Sequence, residues 1–230
     1  MNKVTWSIFG AAIVLIIGGL VIYSRASNPA LDVSKVDTNS IISASTQNGN
    51  IADHVYGNAN AKVVFVEYGD FQCPSCASVH AQVKSATESY KDKVAFIFRN
   101  FPLTTIHSNA RAAAAAAEAA GLQGKYWEMH NMLYEGQADW KNLSGDQRTN
   151  FFVGYAGQIG IDGAKFKTDL ASSAVNSKIS FDQAIGKKIS VNATPTFYLN
   201  GKQLSSTDSG QIVQGSTTVL TGLFDQALAH

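Results

Sequence analysis

Two short apolar runs with a helical stretch between them decide most of what this chain can become. Residues 62–68 (KVVFVEY) and 94–99 (VAFIFR) are rich in β-branched and aromatic side chains, the pattern of buried strands. Between them Val79, Val83, Ala86 and Tyr90 recur at spacings of three and four, which predicts a helix from Ala77 to Tyr90. Strand, helix and strand within about 40 residues make a βαβ unit, whose parallel strands need helices to cover the sheet. The expected fold class is therefore α/β.

The rest of the chain supplies those helices. Residues 109–122 hold nine alanines between Ala110 and Ala120, and 125–134, 147–158, 164–170 and 181–189 continue the helical period. Short β segments are expected at 196–199 and around Ile212 and Val213, with Asn200-Gly201 as the hairpin turn between them. A terminal helix is expected at 222–229. No self-similarity recurs at a period of about 20 to 50 residues, which excludes repeat architectures. The body is read as 51–230, with the helical block, about 107–190, inserted into it.

Ahead of the body stands a segment of another kind. From Val4 to Ser24 there is no charged residue. Some 20 apolar residues in a helix reach roughly 30 Å, the thickness of a bilayer's hydrocarbon core. Trp6 and Tyr23 mark its ends as interfacial aromatics do. This predicts a short cytoplasmic N-terminus (1–5) and a transmembrane anchor over 6–23. A cleaved signal peptide is the competing reading, because Ser24 and Ala26 are small residues at the positions a signal peptidase reads. The length of the stretch favours the anchor, and both readings place the body outside the cytoplasm, on a cell membrane or, after cleavage, secreted or periplasmic. Residues 24–50, with six Ser, four Asn and no aromatic residue, have the composition of a flexible linker.

Charge excludes one class of partner. Eighteen Lys plus Arg against 17 Asp plus Glu leave a net charge of +1, with no basic run to neutralise phosphates, so nucleic acid is not expected.

The two cysteines of the chain, Cys73 and Cys76, lie where the first strand gives way to the helix. Free N–H groups and the positive end of the peptide dipoles stabilise a thiolate there, so Cys73 is the candidate nucleophile and Cys76, one turn on, the candidate resolving thiol. Pro74 suits the first helical position, and with Ser75 it occupies the loop that tunes the pair. As a structural staple the pair is poor, since closing four residues removes only about 2 kcal/mol of unfolded-state entropy, against about 3 for a 15-residue loop. As a zinc site it lacks ligands: there is no second cysteine pair, and the five histidines show no H-x3–5-H spacing. No metal and no cofactor is expected, the sulfurs themselves being the redox group. Thr194-Pro195 opens the strand at 196–199, as an ordinary trans proline or as a cis peptide that turns residue 194 toward a substrate. Glu67 reads equally as a solvated strand-end carboxylate or as a buried acid passing protons to and from Cys76. His107 reads as part of a solvated helix start and His80 as a solvent-facing helix position.

In these residues the chain resembles the DsbA-type branch of the thioredoxin superfamily, exported oxidoreductases with a helical domain inserted in a thioredoxin fold. The matching pieces are 66–76 (VEYGDFQCPSC), 99–103 (RNFPL), 113–130 and 193–201 (ATPTFYLNG). The resemblance implies that Pro195 is cis and packs against the cysteines, that Thr194 offers its backbone to substrate, and that Glu67 is the buried acid six residues before the first cysteine; Phe71, with Pro195, is a candidate for an apolar surface that binds substrate. It implies dithiol/disulfide exchange: donation of the Cys73-Cys76 disulfide to reduced or misoxidised exported proteins, with reoxidation by a quinone-linked membrane partner. The strongest oxidants of the family carry a histidine between the cysteines where this chain has Pro74-Ser75, which leaves open the reverse flow, an exported reductase or isomerase. A redox-inert peptide-binding or chaperone module is the alternative of a different class.

Overall fold

The computed structural model describes residues 10, 12–19 and 31–229. Residues 12–19 are helical and belong to a unit separate from the body, Val33–His230. The remainder of the expected anchor at 6–23, residues 1–5, and the first part of the expected linker lie outside the described residues. Among the described residues no helix is long and apolar enough to cross a membrane.

The body is built on a five-stranded mixed sheet in the order β1-β3-β2-β4-β5. The expected βαβ unit is β2 (Val63–Gly69), α1 (Pro74–Ser89) and β3 (Val94–Asn100), the two strands running parallel with Phe65 beside Phe96 and Glu67 beside Phe98. β1 (Val55–Gly57) adds to β3 antiparallel, and β4 (Thr196–Leu199) adds antiparallel to the other side of β2. Every residue of β3 and all but one of β2 are buried or nearly so, because helices cover both faces. Side chains alternate between those faces. Phe65 packs among Phe96, Phe197 and Phe224, whereas Tyr68 points the other way, to Phe101 and Tyr198.

The helical block runs from α2 (Ala110–Gly121) through α3 (Tyr126–Glu135), α4 (Gln137–Trp140), α5 (Gly145–Gln158) and α6 (Gly163–Asp169) to α7 (Ser173–Lys188). Eight of the alanines in α2 are buried, so small side chains here let neighbouring helices approach closely. α7 begins eight residues before the expected helix at 181–189. The Ser172 hydroxyl accepts from Val175 N at 3.3 Å and starts the helix in a stretch whose polar residues hide the apolar period.

Two further corrections follow the same logic. The β segment expected around Ile212 is helical: α8 (Ser206–Val213) starts where the Ser205 hydroxyl accepts from Asp208 N at 3.0 Å. The strand completing the hairpin is β5 (Lys202–Gln203), reached through Asn200 and Gly201 at φ 45° and 76°. Those two positive φ values are what a two-residue hairpin turn of this hand requires. α9 (Thr217–Leu228) closes the chain.

Residues 33–50 are not a free linker. Arg99 donates to the carbonyls of Thr38 (2.6 Å) and Ser40 (2.8 Å), Lys188 to those of Ser34 and Val36, and Ile42 N to Asp53 Oδ2. Polar composition suggests a coil, but the buried Arg99 and the exposed Lys188 of the body find acceptors in this strap. Behind it lies a buried ionic network in which Asp53 Oδ2 meets Arg99 Nη2 at 2.8 Å and Lys178 Nζ bonds both Asp53 (2.9 Å) and Asp182 (2.7 Å). Asn100 then bridges Asp182 to Glu118 of α2. Strap, sheet and helical block are thereby joined.

Candidate active site

Cys73 is the N-cap of α1, with Pro74 in the first helical position and Cys73 N bonded to Asp70 O at 3.0 Å, so the strand end turns directly into the helix. The two sulfurs are free thiols in this structure. Cys73 is 6% exposed and Cys76 fully buried, so any substrate meets Cys73 first. The Thr194-Pro195 peptide is cis, and the Cys73 thiol donates to Thr194 O at 3.5 Å. The cysteine pair and the proline loop, 121 residues apart in sequence, are thus one site.

The two thiols are electrostatic opposites. Cys73 is lowered to about 5, first by the hydrogen bond from the Cys76 thiol, then, against the cost of burial, by the Thr194 hydroxyl and the backbone N–H groups of Cys76 and Ser75. The Thr194 hydroxyl is buried with no other partner, which leaves it free to donate to the sulfur once that is a thiolate. Burial, together with the Cys73 sulfur, pushes Cys76 well above the ordinary thiol range. Ser75 acts through its backbone; its side chain, like Pro74, is exposed.

Glu67 lies on the central strand, 3% exposed, not solvated at a strand end. Burial, with the Cys73 charge nearby, raises it to about 8, so it is mostly protonated at neutral pH. Among the described residues its carboxyl makes no hydrogen bond.

Phe71 does not line a substrate surface. It is buried against Phe98 and Tyr134, with centroids 4.9 Å away in both cases, because α3 covers this part of the sheet. His80 likewise turns inward, beside His130 and Tyr134, and burial keeps it below the ordinary imidazole range.

Three residues without a local motif complete the site. Gln137 of α4 donates to Phe71 O (2.7 Å) and Cys73 O (3.1 Å), fixing the cysteine loop from the helical block. Asp70, fully buried, accepts from Gln72 N and Leu103 N and lies 2.8 Å from His107 Nδ1. His107 is therefore not a solvated helix start. Its Asp-x36-His separation carries no signal that a single sequence could show. Among the described residues no group of three or more His, Cys, Asp or Glu side chains is arranged to hold a metal ion.

A thioredoxin fold with an inserted helical block, a dithiol capping a helix and a cis-proline loop against it are the features of a thioredoxin-type oxidoreductase scaffold. The family model described as Thioredoxin matches residues 49–214, and the chain belongs to that family. In fold it is similar to DsbA-type proteins. BdbD from Bacillus subtilis superposes with a TM-score of 0.65 at 23% identity, over 83% of this chain and 100% of that one. The thiol-disulfide exchange protein alpha-DsbA2 from Wolbachia pipientis gives 0.62 at 20% identity, over 76% and 86%. A Na(+)/H(+) antiporter of Salinispora arenicola, NhaA 1, is 38% identical over 151 residues, 66% of this chain. The chain spans only 22% of that antiporter's length, so the likeness concerns one portion of a longer protein.

Proposed function

We propose that the protein donates the Cys73-Cys76 disulfide to reduced exported proteins outside the cytoplasm. The observation that carries this reading is the opposed ionisation of the pair: Cys73 lowered to about 5 beside a buried Cys76 raised well above its ordinary value. Whatever stabilises the thiolate stabilises the reduced form, and a stabilised reduced form makes the disulfide a stronger oxidant. The missing loop histidine does not reverse the direction, because the Cys76 thiol, the Thr194 hydroxyl and backbone N–H groups supply the stabilisation.

A substrate thiolate attacks Cys73 Sγ, the Cys73–Cys76 bond breaks, and the electron pair leaves on Cys76, which takes the proton held by Glu67. The substrate's second thiolate then attacks the substrate sulfur of the mixed disulfide, forming the substrate disulfide and releasing Cys73 as thiolate. Two electrons pass to the enzyme pair, and no further cofactor enters. Thr194 and Pro195 hold the substrate backbone beside Cys73. The apolar segment at 6–23 exports the body and anchors it, and a quinone-linked membrane partner takes the electrons back.

Mixing oxidised protein with a reduced, unfolded two-thiol substrate tests this. One substrate disulfide is expected for each Cys73-Cys76 disulfide consumed, and Cys76→Ala, which cannot hold that disulfide, should leave the substrate thiols unoxidised. Substrate thiols that persist beside an intact enzyme disulfide would refute the reading.

A further inference from the structure

Thiol-disulfide exchange needs the incoming sulfur as a thiolate, yet an ordinary cysteine thiol of pKa about 8.5 is only a few per cent ionised at pH 7. The low pKa of Cys73 helps its departure and does nothing for the attacking thiol. The site holds a group placed for that task. His107 Nδ1 lies 2.8 Å from Asp70 Oδ2, and where Nδ1 donates to that oxygen, Nε2 is the nitrogen left to act as a base. Asp70 is fully buried, its Oδ1 held by Gln72 N at 2.8 Å and its Oδ2 also by Leu103 N at 2.9 Å. The His107 side chain remains 17% exposed, and no described group bonds Nε2.

This pair is tied to the turn that carries the reactive sulfur. Cys73 N closes a turn on Asp70 O at 3.0 Å, and a four-residue turn keeps its end Cα atoms within about 7 Å. The loop carrying His107 is pinned to the same turn from its other end, Asn109 N donating to Gln72 Oε1 at 2.6 Å. A base oriented by a buried carboxylate, with its side chain partly exposed, is the arrangement that activates a nucleophile.

We propose that His107, oriented by Asp70, is the general base that takes the proton from the substrate thiol as it attacks Cys73. The inference rests on the disulfide-exchange reading above. In the step, the S–H proton passes to Nε2, the substrate sulfur bonds Cys73 Sγ, the Cys73–Cys76 bond breaks, and its electron pair goes to Cys76 with the Glu67 proton. The imidazolium is held by Asp70 until it releases the proton to solvent. The titratable or charged groups on the elements around this loop include Glu67 of β2, Cys73 and Cys76, Arg111 of α2, Tyr134 of α3, Lys141, whose carbonyl receives Gln72 and Asn109, Arg148 of α5, which is bonded to Asn109 Oδ1, and Lys187 of α7.

The test is stopped-flow reduction of the oxidised full chain by two thiols at pH 7: dithiothreitol, which is protonated there, and an aromatic thiol already ionised. His107→Asn keeps a donor to Asp70 and removes the base. It should slow the dithiothreitol reaction by about 10- to 100-fold and leave the aromatic thiolate reaction unchanged, the difference vanishing at a pH where dithiothreitol is itself ionised. Added imidazole should restore part of the rate in His107→Ala. In the wild type a solvent deuterium isotope effect is expected with dithiothreitol and not with the aromatic thiolate, a readout independent of how either variant folds. Equal slowing with both thiols at every pH, or no slowing at all, overturns the role of His107 while the exchange reading stands. A wild type that reacts with neither thiol overturns both.

Discussion

At Cys73 a helix N-terminus and the hydrogen bond from the Cys76 thiol act on the same sulfur, and Glu67 answers from the strand beneath. Reduced protein alkylated across a pH series should show the Cys73 thiolate appearing with a midpoint of about 5. Its consequence is thermodynamic: below that pH reduction takes up two protons and the potential falls by about 59 mV per pH unit, above it one proton and about 30 mV. Glu67 makes a separate prediction. Its pKa is raised from 4.5 to about 8 by burial, so the folded state pays nothing below pH 4.5 and loses stability as pH rises toward 8. Glu67→Gln should therefore raise the unfolding free energy at pH 7 by about 3 kcal/mol and leave it unchanged near pH 4, as read by urea denaturation at the two pH values. Cys73, Cys76 and Pro195 could be found in the sequence because spacing and position relative to a strand and a helix carry their chemistry. Phe71 was misplaced, because which way an aromatic residue beside a cysteine points is set by α3, more than fifty residues later.

Among the elements, α1 is positioned by its own sequence and by α4. Gln137→Ala would leave the carbonyls of Phe71 and Cys73 without their donor, and the loss of stability should be about 1 to 3 kcal/mol in urea unfolding. Ser205→Ala, which removes the cap of α8, should cost about 1 kcal/mol and leave the alkylation profile of Cys73 unmoved. Strong local patterns such as β2, β3, α2 and β4 are readable because apolar period and burial coincide. The starts of α7 and α8 are not, because a single serine hydroxyl sets each of them within polar stretches. β1 is three residues long and exists by pairing with β3, an arrangement no window of local sequence expresses.

Over the whole molecule, the strap 33–50, the sheet and the helical block meet at Asp53, Arg99, Lys178 and Asp182. Burial would raise Asp53, but Lys178 and Arg99 outweigh it and hold the carboxyl well below its usual range. Asp53→Ala would leave two buried cations facing each other, at a cost of about 3 to 5 kcal/mol in urea unfolding. The charges are plain in the sequence, yet their pairings span 46 and 125 residues, so the strap reads there as a linker. A body cut at residue 51 would lose the Thr38 and Ser40 carbonyls that receive Arg99. The decisive measurement is therefore made on the full chain: equilibration with glutathione redox buffers, with the state of Cys73 and Cys76 read by thiol alkylation. A potential above about −180 mV is expected of a disulfide donor, and one near −270 mV would contradict that direction.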